Sequence, residues 1–124
     1  MKYALVALLV IHGLIHAIGF AGAFNLAEFE GGSKTPTNFV TADIGTPTLK
    51  ILGALWMVAL VAFLLAATLL LMDSASWRPA AVAAALISMV PIAMWWQVSP
   101  MGAVANALVI AAVVIAPRLD GVPA

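Results

Sequence analysis

The chain has no cysteine among its 124 residues and very little charge, five basic and five acidic side chains. Without thiols it cannot form disulfides, Cys-ligated zinc sites, iron–sulfur clusters or covalently attached c-type haem. Charged residues make up 8% of the chain, against roughly a quarter in soluble domains. Water is therefore not its main solvent. The formal net charge is zero, and binding phosphates needs a basic surface, which argues against a nucleic-acid partner. What fills the chain instead is apolar, 65% of all residues.

The apolar residues fall into runs. A helix that spans a bilayer needs about 20 predominantly apolar residues. Residues 3–24 form one such run, interrupted only by histidines and glycines, and residues 49–72 form a second, with Thr68 its only polar interior residue. Residues 79–98 make a third and 101–116 a shorter fourth. Lipid offers no hydrogen bonds to backbone groups, so spanning segments must be helical. The fold class expected is all-α: one integral membrane domain over residues 1–124, a four-transmembrane up-down-up-down bundle in a lipid bilayer. Lys2, the apolar run and the small residues Ala21 and Ala23 mimic a secretory signal. Two histidines in the apolar core are foreign to such a signal, and the first segment is expected to be retained.

Most of the remaining polarity lies in the long loop 25–48, which Gly31, Gly32 and Pro36 punctuate as turns. Thr46 suits an N-cap and Pro47 the first position of the second helix. A connection of this length exceeds what antiparallel helices need; it is either a solvated connector or a cover over the bundle mouth. Lys2, Arg78 and Arg118 on one side outnumber Lys34 and Lys50 on the other. The excess predicts a bacterial inner membrane protein with both termini cytoplasmic and the acidic long loop outside. Trp95 and Trp96 are placed at the outer interface, Trp77 at the inner one. Small residues at four-residue spacing let helices approach closely. Rows of this kind are Ala80, Ala84 and Ser88, then Ala103, Ala107 and Ala111, and also Gly13 and Ala17. Pro91 is expected to kink the third helix.

Against this background "IHGLIHAIGF" at 11–20 stands out, because it holds both histidines of the chain. His12 and His16 are one helical turn apart and project from the same face. Ionisable groups at that depth normally face the bundle interior, a partner or a cavity. Depth counting puts His16 level with Met57, Met89 and Asn106, and leaves Ser88 as the polar residue nearest His12. Three ligand chemistries follow. A helical pair at this spacing can chelate, and thioethers from Met57 and Met89 beside His12 and His16 would suit copper as Cu(I). Haem b would use one histidine, since two on one face cannot reach opposite faces of a single iron. Imidazoles could also relay protons or hydrogen-bond a quinone, with Asn106 as a further cofactor-binding residue. The plainer alternative is a pair of histidines that only ties helices together. Paired intramembrane carboxylates, a Ser–His–acid order and a glycine-rich phosphate loop are all missing, so a self-sufficient enzyme is not expected.

The first helix, with His12–Gly13 and Gly19–Phe20, resembles that of the DoxX-like group of small bacterial membrane proteins. The chain also resembles uncharacterised four-helix bacterial proteins that share HGxxHxxGF and an asparagine in the last helix, here Asn106. DoxX-like chains often carry lysine where His16 stands. The DoxX-like resemblance implies a membrane subunit of redox systems, partnered with quinone- or thiol-handling proteins. The expected function is thus a small subunit of a redox-linked membrane complex, associated with other membrane subunits or with itself. The alternatives are an oligomer that passes a small solute or proton, and an accessory subunit with a purely structural role.

Overall fold

A computed structural model describes residues 1–24, 26, 45–96, 99–118 and 121–123. Four helices follow one another: α1 (Lys2–Ala23), α2 (Gly45–Leu71), α3 (Trp77–Met94) and α4 (Pro100–Ile115), the last extended by a 3₁₀ turn, Ala116–Arg118. Of the long loop 25–48, residues 25 and 27–44 fall outside the described residues, and with them the turns at Gly31, Gly32 and Pro36 and the notion of a cover. Helix α2 begins at Gly45, earlier than its apolar run. Thr46 and Pro47 therefore lie within the first turn and not at the cap. Proline is tolerated there because the first four N–H groups of a helix have no internal partner.

Each helix packs on the next in sequence, and α1 also touches α4. Neighbours run antiparallel. At one end the Lys2 ammonium donates to the carbonyl of Leu71, at 3.0 Å, and to the Asp73 carboxylate, at 2.7 Å. At the other end Gly53 of α2 lies so close to α1 that a Cβ on it would meet that of Ala23. The tight turn between α2 and α3 includes Asp73 at φ 56°, in the left-handed region where Asp is better tolerated than most residues. Helix α3 runs through Pro91 without interruption. Proline has no N–H to give, so the Ile87 carbonyl lacks its usual partner one turn on.

The core has two apolar clusters. The larger gathers Leu5, Leu9, Phe63, Leu70, Trp77, Val109 and Val113 around small residues such as Ala81, Ala84 and Ala85. The smaller joins Ala23, Trp56, Ile92 and Trp95. Between them lie the buried polar residues His12, His16, Ser88 and Asn106. The outside is the reverse: Ile11, Leu14, Ile15 and Ile18 of α1, Val58, Val61 and Leu65 of α2, Leu86 and Val90 of α3, and Val104, Leu108 and Val114 of α4 are all exposed. A soluble protein rarely exposes apolar patches on this scale. Helices α1, α2 and α3 are long and apolar enough to cross a membrane, while α4 is shorter. The structure is that of an all-α membrane protein.

Two expectations are corrected. Of the row Ala103, Ala107 and Ala111, the last two are exposed, and α4 buries Asn106, Val109 and Val113 instead. Turning Asn106 inward rotates the residue after it about 100° away. A carboxamide needs partners more than a methyl group needs a neighbour. Trp77 and Trp95 likewise turn into the bundle, and of the three tryptophans assigned to interfaces only Trp96 is exposed. The Trp77 indole reaches the Pro123 carbonyl at 3.2 Å, so its polar end needs no interfacial water.

Candidate functional site

Helix α1 buries Leu5, Leu9, His12, Gly13 and His16 on one face, the spacing of a helical stripe. His12 Nε2 lies 2.8 Å from Asn106 Oδ1. The Asn106 Nδ2 atom donates to Ser88 Oγ at 2.6 Å and to the Ala85 carbonyl at 3.2 Å. Ser88 Oγ in turn donates to the same carbonyl, at 3.3 Å. A carbonyl can only accept, so the amide nitrogen must face Ala85 and the amide oxygen must face His12. His12 therefore carries its proton on Nε2 and donates it. This network ties α1, α3 and α4 through one side chain, Asn106.

His16 is arranged differently. Its Nδ1 lies 2.8 Å from the backbone carbonyl of His12, one turn back on its own helix. The acceptor is again a carbonyl, which puts the proton on Nδ1 and leaves Nε2 as a bare lone pair in the neutral ring. That Nε2 is buried and has no hydrogen-bond partner among the described residues. The two imidazoles meet edge to face, with ring centroids 4.8 Å apart and planes at 81°. Phe63 stands 4.6 Å from the His12 ring and 5.5 Å from that of His16. Trp56 stands 5.5 Å from His16 on another side. Its own Nε1 is also buried, and it too has no partner among the described residues.

The glycines of the first helix explain how these rings come so close. A Cβ on Gly13 would lie 3.0 Å from Phe63 Cβ, and one on Gly19 would lie 2.5 Å from Trp56 Cδ2. With hydrogen in place of a side chain, α1 lets Phe63 and Trp56 press onto the histidine face. Gly13 and Gly19 are thus part of the site, as makers of space for its two aromatic walls.

The structure brings His12 together with Asn106 and Ser88, whereas depth counting set Asn106 beside His16. Met57 is half-buried on α2, next in sequence to Trp56, and Met89 packs against the smaller apolar cluster. Neither sulfur is a hydrogen-bond partner of His16 Nε2. Among the described residues no three His, Cys, Asp or Glu side chains come together as a metal cluster. The pair cannot chelate through both Nε2 atoms while the His12–Asn106 bond stands. A single-point ligand at His16 keeps every bond of the network. A haem at that nitrogen would have to displace Trp56 or Phe63, whose rings occupy the flanks of the imidazole. Depth counting selected Met57 and passed over Trp56 beside it; the signal for Trp56 was Gly19, which clears room for a large ring one turn from His16. Comparison of the chain with protein-family models, curated proteins and solved structures gives no match, so the chemistry of this site rests on its own residues.

Proposed function

We propose that the protein is a four-span subunit of a redox-linked complex in the bacterial inner membrane, and that it holds a ligand at His16. The observation that carries this reading is the bare, buried Nε2 of His16. An acceptor left unpaired inside a membrane bundle is costly, and intramembrane ionisable residues are by default sites. The redox assignment rests on the resemblance of residues 12–20 to the DoxX-like first helix. Passage of a solute or proton along both histidines has less support, because His12 is held by Asn106 and Phe63 packs on both rings.

Helix α4 with its 3₁₀ extension covers 19 residues, about 30 Å at the usual rises per residue, which matches the hydrocarbon thickness. Its exposed valines and leucine give it the same lipid-facing character as the other three. An even number of spans puts both termini on one side, and the Lys and Arg bias makes that side cytoplasmic. A cysteine introduced at Ser33 is expected to react with an impermeant reagent in intact cells, and one at Ser76 to stay protected. The opposite labelling pattern would invert the topology.

The ligand assignment is tested with His16→Phe and His12→Phe, each extracted from native membranes and compared by optical spectrum, metal content and organic extract. Phenylalanine keeps a ring against Trp56 and Phe63 but removes the lone pair. His16→Phe is expected to lower retained ligand by about tenfold, the effect of losing one good polar contact in a buried site. Unchanged ligand content and unchanged activity in the native host would leave His16 with a packing role alone.

A further inference from the structure

The second unpaired atom of the site belongs to Trp56. Its indole N–H can only donate, and the His16 Nε2 lone pair can only accept. Both residues are more than nine-tenths buried, and neither atom has a hydrogen-bond partner among the described residues. Their rings lie 5.5 Å apart at 60°, and the clash that a Cβ on Gly19 would make with Trp56 shows how firmly the indole is set against α1. One orphan donor and one orphan acceptor in a single apolar layer define what completes them. We infer that Trp56 Nε1 and His16 Nε2 together bind a hydroxyl group, whose oxygen accepts from the indole and whose hydrogen goes to the imidazole.

Other groups match less well. A ketone or an ether oxygen accepts from the indole but has no hydrogen for His16. A carboxylate brings only acceptors and a charge into an apolar cage. A hydroxyl satisfies both atoms at once, and it can come from water or from a phenol. The surroundings include Trp95, whose ring is 6.0 Å from Trp56, and Phe20, Phe24 and Met89 pack on the same cluster. These neighbours are aromatic and apolar, a composition that suits the flat body of a phenol. This inference rests on His16 being the ligand-bearing histidine, and it adds Trp56 as the second contact.

The test uses the full chain in lipid nanodiscs with ¹⁵N in tryptophan and histidine, assigned through His16→Phe and Trp56→Phe. Three samples are compared: no additive, hydroquinone, and hydroquinone dimethyl ether, which accepts hydrogen bonds but cannot donate them. With hydroquinone, saturable shifts are expected at both nitrogens, weakened about tenfold by Trp56→Phe, while the ether leaves the His16 signal in place. Cross-relaxation of both sites with a long-lived water, and no response to hydroquinone, would support the same site with water as its occupant. Should Trp56→Phe misfold, benzothienylalanine at position 56 keeps the shape and removes only the N–H. A direct indole-to-imidazole coupling across a hydrogen bond would overturn the inference, as would silence at both nitrogens in all three samples. A shift at His16 alone would overturn the part played by Trp56 and leave the ligand reading of His16 intact.

Discussion

Asn106→Leu is expected to destabilise the bundle by about 2–3 kcal/mol, more than any other single polar substitution among the described residues. The side chain accepts from His12 and donates to Ser88 and Ala85, so it serves three helices at once. Leucine fills a similar volume but strands the His12 N–H in an apolar interior, where an unpaired group costs about 1–3 kcal/mol. Interhelical hydrogen bonds in membranes average only about 0.6 kcal/mol each. The loss therefore comes mainly from the stranded partner. If so, adding His12→Phe to Asn106→Leu should recover a good part of the stability, because neither end of the bond then remains. Reversible unfolding in detergent or by steric trapping measures both variants. Wild-type stability in Asn106→Leu would mean that His12 finds another acceptor.

Gly19→Ala is the second large effect, expected at about 1–3 kcal/mol, the range for overpacking a filled core. The added carbon would sit 2.5 Å from Trp56 Cδ2, within the indole and not at the end of a flexible chain. The ring must move, and the wall beside His16 moves with it. Gly22→Ala is the matched control on the same helix, since nothing among the described residues lies within 4 Å of its Cβ position. Alanine there should be neutral or slightly stabilising, because glycine in a helix interior costs roughly 0.5–1 kcal/mol. Combining Gly19→Ala with Trp56→Leu should restore stability but not ligand retention. Equal stability of the two glycine variants would show that the indole is free to swing away.

These two residues mark where reading the chain succeeds and where it stops. That Asn106 is buried follows from its place in an apolar run, since a carboxamide in an apolar helix must find partners. Which partner it finds does not follow. Depth counting resolves about one helical turn, enough to place Asn106 near the histidines but not to choose between two that are one turn apart. The Ala103, Ala107 and Ala111 row fails for a related reason. Small residues permit close approach, but they do not compel it, and Asn106 set the rotation of α4.

Helix number, helix type and approximate span were legible in sequence, because a chain with 8% charged residues and four apolar runs has only one way to satisfy its backbone in lipid. The shared face of His12 and His16 was legible too, from helical periodicity alone. Tertiary structure decided which imidazole is free. The Ala85 carbonyl can only accept, and through Asn106 it puts the proton on His12 Nε2 across three helices, while the proton of His16 sits on Nδ1 against the His12 carbonyl of the same helix. Tertiary structure also placed Trp56 opposite His16 in the gap left by Gly19. Periodicity sets the direction of a side chain along one helix, whereas a hydrogen bond depends on the rotation and depth of two helices to within a fraction of an ångström. That relation between helices exists only once they are packed.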